Sequence, residues 1–333
     1  MRWLLALLPA ILAQDPNFGV QSRLVLVPVT VIDAKGKNVE GLETDDFVLL
    51  DKGKRQKAVV DTIGTGVSPI ALAIAVQSSG ISAPVLDKVR KISSMVEPLL
   101  TGARGCAALV AFSDKVNWLT DCIHDPGALD RAFAALQPGQ ATSARMLDAA
   151  NQAIERLSQR KARRVLLLIS ESRDRGSETD LETLLLNAQN AGVTVYAATY
   201  SALRTAFTQQ SAQNSPRKRG PATPNAIPGD PSYVPLEGRG DILGGFAELF
   251  RLGKVNAVEV LTGQTGGTIF PFTRQKGLEN AIEKLSSELH TQYVLGFTPN
   301  SVEGGYHQLE VRIKDRPNLY VRSRPGYWAV AAK

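Results

Sequence analysis

Pro69-Ile-Ala-Leu-Ala-Ile-Ala-Val-Gln-Ser-Ser-Gly80 is the stretch that decides the fold. Ile70 to Val76 is apolar without a break. A strand with one wet face alternates, so an unbroken run marks a strand covered on both faces of a parallel sheet. Polarity returns at Gln77-Ser78-Ser79, and Pro84 then stands where the first turn of a helix tolerates it. Val85, Val89, Ile92 and Val96 follow at helical spacing.

The same alternation continues outward. Leu109 to Phe112 and Val116 to Leu119 read as a hairpin. Met146 to Leu157 reads as a helix, with Leu147, Ala150, Ile154 and Leu157 on one stripe. Val165 to Ile169 is a second fully apolar strand. Leu181, Leu184, Leu185 and Ala188 form a helical stripe ended by Gly192, and Val193 to Ala198 is the next strand. Residues 201–241 break the rhythm: rich in Pro, Ser, Gln, Gly and Arg, they are expected to form a flexible surface insertion. Phe246 to Leu261 resumes a helix, Thr268 to Phe272 a strand, and Leu278, Ile282, Leu285 and Leu289 a last helix. Strand and helix thus alternate over residues 68–290, which predicts a doubly wound, Rossmann-type α/β domain with a mostly parallel sheet.

Both flanks read as β. Leu24 to Val31, Phe47 to Leu50 and Ala58 to Val60 precede the domain; Tyr293 to Phe297, His307 to Ile313 and Leu319 to Ser323 follow it. Neither set alone has enough strands to bury a face. Residues 20–66 and 291–330 are therefore expected to combine in one small β-sandwich-like module, with the α/β domain inserted into it.

Met1-Arg2 followed by the apolar run Trp3 to Ala13 has the layout of a signal peptide over residues 1–13, cleaved after Ala13; an uncleaved anchor is the alternative. No later run is long and apolar enough to span a bilayer, so a secreted, periplasmic or cell-envelope protein is expected. The net charge is +6, but the basic residues are scattered apart from Arg217-Lys218-Arg219. Nucleic-acid binders concentrate them on one face, so no nucleic-acid partner is expected.

In an exported chain, the two cysteines, Cys106 and Cys122, suggest a disulfide. A hairpin centred on Asp114 pairs Phe112 with Val116, and the same register sets Cys106 opposite Cys122, within or close to bridging distance. Two buried thiols are the alternative.

Catalytic signatures are missing. The three histidines are His124, His290 and His307, and the sequence holds no H-E-x-x-H, C-x-x-C, G-x-S-x-G or G-x-x-x-x-G-K-[ST]. His124 lies close to Cys122, but a bridged Cys122 is no nucleophile. Asp121 and Asp125 read as solvated charge. Arg239-Gly240-Asp241 matches an adhesive tripeptide that recurs by chance. No catalytic residue and no cofactor is assigned, and the chain is not expected to be an enzyme.

Residues 69–80, together with Val165-Leu-Leu-Leu-Ile-Ser-Glu-Ser-Arg-Asp174, resemble the first and fourth strand-and-loop elements of von Willebrand factor A domains. Arg23 to Asp33, Leu42 to Leu50, Leu289 to Pro299, Gly305 to Glu310 and Pro325 to Trp328 are similar to the flanks of exported bacterial VWFA-related domain proteins. The resemblance covers nearly all of the chain after residue 13. It implies a metal-ion-dependent adhesion site: an Asp and two Ser in a D-x-S-x-S loop, a Thr and a second Asp, around Mg²⁺ or Mn²⁺. Gln77 stands at the first Asp, Ser79 keeps the first Ser, and Ile81 replaces the second. Counting back from Asp148 puts Ala144 at the Thr, with Thr142 and Ser143 beside it, and Glu171 replaces the last Asp. Ser79, Thr142 and Glu171 make a thin donor set for a hard cation, so no metal is expected to be held in the usual way. The resemblance then implies a protein-binding or assembly module with a degenerate site. A structural envelope protein is the alternative, and a hydrolase with an unrecognised site comes last.

Overall fold

The computed structural model describes residues 24–61, 69–201, 256–299 and 303–329. The signal-peptide segment 1–13, the insertion from residue 202 onward with Arg217-Lys218-Arg219 and Arg239-Gly240-Asp241, and the first part of the helix expected from Phe246 lie outside the described residues.

The chain enters through β1 (Val25–Ile32), β2 (Phe47–Asp51), β3 (Lys54–Gln56) and β4 (Ala58–Asp61). The α/β part then runs β5 (Ile70–Gln77), α1 (Ala83–Arg90), α2 (Ser93–Val96), β6 (Cys106–Phe112), β7 (Val116–Ile123), α3 (Pro126–Ala134) and α4 (Met146–Ser158). It continues with β8 (Arg163–Ser170), α5 (Leu181–Asn190), β9 (Val193–Thr199), α6 (Ala257–Thr265), β10 (Ile269–Pro271) and α7 (Gln275–Thr291). The tail supplies β11 (Tyr293–Phe297), β12 (Gly305–Ile313), β13 (Tyr320–Ser323) and β14 (Gly326–Ala329).

The central sheet has the order β10-β9-β8-β5-β6-β7. Its pairs are parallel except β6 with β7. β5 shows why its sequence never alternates. Ala71, Ala73 and Ala75 join the core that holds Ala149, Ala150 and Ala153 of α4, while Leu72, Ile74 and Val76 join the opposite core with α1 and α7. Small residues on both sides of the first contact let α4 approach the sheet closely, because side-chain size sets the packing distance.

Three local expectations are corrected. The helix expected over Val85 to Val96 breaks after Arg90, and the chain passes through α2 into a wide turn at Glu97–Thr101 that holds Pro98, which has no N–H for a regular helix. Second, α3 was not anticipated: Asp125 caps it by accepting from the Gly127 N–H at 2.9 Å, with Pro126 in the first turn. Third, the described part of the helix expected over Phe246 to Leu261 starts at Ala257 and continues to Thr265.

The remaining strands form two four-stranded antiparallel sheets, β13-β1-β11-β4 and β14-β12-β2-β3, each combining strands from the two ends of the chain. They share one core, in which Val27, Val29 and Val31 of β1 and Leu295 and Phe297 of β11 meet Phe47 and Leu49 of β2 and Leu309 and Val311 of β12. The architecture is thus a doubly wound α/β sheet together with a sandwich-like pair of antiparallel sheets.

Cys106 and Cys122 are bridged, with Cα atoms 5.1 Å apart. The route differs from the expected direct opposition. Phe112 pairs with Val116, but bulges between Ala107 and Val110 slide the register until Ala107 faces Ile123, leaving the cysteines diagonal. A bulge bends and twists its strand, which brings diagonal residues within reach. Reduction is expected to lower the unfolding free energy by about 3 kcal/mol, from the loop entropy released in the unfolded chain. Urea titrations with and without a phosphine reductant check this; coincident curves would show that the bridge contributes nothing.

Candidate functional site

In a doubly wound sheet the winding direction reverses between the first and fourth strands, and the crevice beyond their carboxyl ends is where ligands sit. Here that point lies past Gln77 of β5 and Ser170 of β8. Gln77, Ser79 and the backbone N–H of Glu171 meet there.

Gln77 is the hub. Its Oε1 accepts the backbone N–H of Glu171 at 2.9 Å, and its Nε2 donates to Ser79 Oγ at 2.8 Å. The orientation of the amide is not arbitrary: a backbone N–H can only donate, so the oxygen must face Glu171 and the NH₂ must face Ser79. Ser79 Oγ lies 3.3 Å from Ser82 Oγ, and Tyr200 donates its hydroxyl to Ser82 Oγ at 2.8 Å. All four side chains are buried. Burial pushes the Tyr200 hydroxyl well above its usual range, opposed by its bond to Ser82 and reinforced by the charge of Glu171. Tyr200 therefore stays a donor at physiological pH. Ser82 and Tyr200 were not foreseen; the hydroxyl missing at half-buried Ile81 is supplied one residue later.

The third element contributes backbone instead of side-chain oxygen. Ala144 is buried, and its N–H and C=O both bond Arg175, at 3.0 and 2.9 Å. Thr142 is exposed and Ser143 half-buried, and neither hydroxyl bonds Gln77, Ser79 or Glu171. The Glu171 side chain is 17% exposed, with Arg175 Nη2 at 3.8 Å. Together they form a charged rim over the closed network.

The neighbouring carboxylates hold the loop after β8 against α4. Asp174 accepts from the Leu147 N–H at 3.0 Å and from Ser177 Oγ at 2.6 Å. Asp148 accepts from the N–H groups of Thr179 and Glu178 at 2.8 and 3.1 Å and pairs with Arg145 at 2.7 Å. Burial alone would raise the Asp148 carboxyl, but the bonds from Thr179 and Glu178 and the Arg145 charge outweigh it and hold it below the usual range. Asp180, which caps α5, is lowered chiefly by the Thr183 N–H. A depressed folded-state pKa gives stability that is complete above the unfolded value, near ~4, and is lost as pH falls through the folded value. The urea midpoint is therefore expected to drop between pH 5 and about 2–3, and Asp148→Asn to flatten part of that acid limb; an unchanged acid limb in the variant would remove Asp148 from this role.

A hard divalent cation needs oxygen lone pairs converging on one point. Here an amide NH₂ occupies the centre, the Ser79 oxygen is engaged with Gln77 and Ser82, and Asp148 and Asp174 are turned to backbone N–H groups. The groups as arranged do not fit Mg²⁺ or Mn²⁺. Of the other residues weighed, Asp121 pairs with Arg160 at 3.3 Å, and His124 Nδ1 lies 2.7 Å from the Gly105 carbonyl oxygen. Neither joins this site.

No family model and no curated protein matches the chain. Among solved structures it is similar to the vWF domain of the type V pili tip protein Mfa5 from Porphyromonas gingivalis, at 16% identity over 31% of this chain and 38% of that one, with TM-score 0.28. It is also similar to the conserved hypothetical protein BatB from Bacteroides thetaiotaomicron, at 13% identity over 66% of this chain and 97% of that one, with TM-score 0.41. A third similarity is to proximal thread matrix protein 1 from the mussel byssus, solved with a zinc occupied MIDAS motif, at 12% identity over 71% of this chain and 49% of that one, with TM-score 0.44. The chain spans less than two thirds of the first and third of these. With its sheet order, its antiparallel β6–β7 edge and its polar loops gathered where the winding reverses, the described part of residues 69–291 folds as a von Willebrand factor A-type α/β domain.

Proposed function

We propose that the chain is an exported protein-binding or assembly module, recognising another protein through the loops around Gln77 and Glu171 without a bound cation. The hydrogen-bond chain from Tyr200 through Ser82, Ser79 and Gln77 to the Glu171 N–H carries this reading. It joins the loops with protein groups at the place where a metal-dependent A domain joins them through its ion. Loops fixed on a rigid sheet are where binding residues concentrate, and Glu171 with Arg175 presents the charge there. The disulfide fits an oxidising compartment, in line with an apolar leader over residues 1–13.

Two measurements test it. Affinity capture from an envelope fraction with the full chain is expected to recover a stoichiometric partner, lost with Glu171→Ala or on deletion of residues 205–238. Equal recovery by all three proteins would remove the top-face loops from recognition. Calorimetry with Mg²⁺ and Mn²⁺ is expected to show no saturable site; one that Glu171→Ala abolishes would overturn the metal-free reading.

A further inference from the structure

The opposite end of the central sheet holds a different feature. A cavity of about 260 Å³ lies where the starts of β8 and β9 meet β1 and β11. Leu26, Pro28 and Val294 give it an apolar side, and Arg164, Gln189 and Arg324 a polar one. Among the described residues no acidic side chain lines it, although Lys161 and Arg163 do.

Arg324 is the unusual member. It is 5% exposed, and its guanidinium has no ion pair and no hydrogen-bond acceptor among the described residues; Nε is buried and unpaired. The Tyr327 ring lies under it, its centroid 6.0 Å away, at the limit of a cation–π interaction. The neighbouring cations do not relieve it. Arg164 donates to the Arg160 and Ala191 carbonyls, and Arg163 to the Leu289 carbonyl and Gln292 Oε1. Those acceptors are neutral and leave the Arg164 charge in place, while Arg163 also feels the Glu288 carboxylate. Gln189 Oε1 is also unpaired. A buried cation without a counter-charge is strongly unfavourable. Burial lowers the Arg324 pKa to about 10, which still leaves it charged at neutral pH.

We propose that this cavity binds a small organic carboxylate: Arg324 takes the carboxylate through its planar fork, supported by Arg164, and Leu26, Pro28 and Val294 cover an apolar body. Arginine matches a carboxylate with two parallel N–H donors. The volume falls just under the usual ligand range of roughly 300–1,000 Å³, which selects a compact acid. Leu26 is also among the exposed large hydrophobics, so an apolar ligand body would cover surface that now faces water. The site lies at the amino ends of β8 and β9, away from Gln77 and Glu171, and does not depend on the function proposed above.

The test titrates the full chain with benzoate, hexanoate and inorganic phosphate at constant ionic strength, following the melting temperature and the ¹⁹F line width of 4-fluorobenzoate. Benzoate and hexanoate are expected to raise the melting temperature in a saturable way, and phosphate not to. Arg324→Met is expected to fold, since it removes an unpaired buried charge, and to bind fluorobenzoate at least about tenfold more weakly. Should that variant not fold, Leu26→Ser, at the rim, is expected to weaken benzoate about fivefold by loss of apolar contact. Equal shifts from phosphate and benzoate, undiminished binding in Arg324→Met or Leu26→Ser, or no shift at all would each overturn the proposal.

Discussion

Asp51→Ala is expected to destabilise the folded chain by about 3 kcal/mol, from leaving two buried polar partners unsatisfied at roughly 1–3 kcal/mol each. Asp51 ends β2 and is buried. Its Oδ1 lies 2.9 Å from His307 Nδ1, and its Oδ2 accepts the Tyr327 hydroxyl at 2.9 Å. His307 Nε2 lies 3.0 Å from the Glu303 carbonyl oxygen, so both ring nitrogens face acceptors. Three strands, β2, β12 and β14, therefore converge on one carboxylate. Alanine would leave an imidazole and a phenol buried without their partner. Asp51→Asn keeps the shape and one acceptor oxygen, so its loss is expected to be about half as large. Urea unfolding of both variants measures this, and a change below about 1 kcal/mol in Asp51→Ala would show that the network is not closed as described.

How much of this was legible depends on where each residue's partner comes from. β5 and β8 declared themselves because burial on both faces leaves an unbroken apolar run. β3 did not: Lys54-Arg55-Gln56 carries no apolar pattern and is a strand because it turns back on β2. β14 was read as part of a motif, since Gly326 to Ala329 becomes a strand only by pairing with β12. α3 was hidden for another reason. Its helical signal is a cap, Asp125-Pro126, at a position where Asp125 reads equally well as solvated charge. At the site, Gln77, Ser79 and Glu171 are legible through the resemblance of their strand-and-loop segments to A domains. Ser82 and Tyr200 are joined across 118 residues and only the winding of the sheet brings them together. Arg324 is the extreme case. In sequence it is one scattered cation among many, and only the fold shows that it is buried.

Gln77→Asp separates a cation site that has lost one ligand from a network that has replaced the cation, and it is expected to destabilise the chain by about 3–5 kcal/mol in the absence of divalent metal. The change shortens the side chain by one methylene and exchanges a neutral amide for a carboxylate in a buried position. Three losses coincide. The NH₂ donor to Ser79 disappears, the shorter chain withdraws the acceptor from the Glu171 N–H, and a second negative charge enters beside Glu171. Gln77→Leu suffers only the first two and is expected to lose roughly half as much, so the difference between the variants isolates the charge. Mg²⁺ is expected to recover little of the stability of Gln77→Asp, because neither Ile81 nor Ala144 carries a hydroxyl to supply an oxygen ligand. Adding Ile81→Ser to Gln77→Asp supplies an oxygen and is expected to make the recovery depend on Mg²⁺ concentration. If Gln77→Asp in a chelator proves as stable as the unmodified chain, the amide is not what joins the loops. If the single variant is fully restored by Mg²⁺, the site is one substitution from an ordinary cation site and the hydrogen-bond chain is incidental. The geometry favours neither outcome, because Gln77, Ser79, Ser82 and Tyr200 are already paired with one another and with the Glu171 N–H.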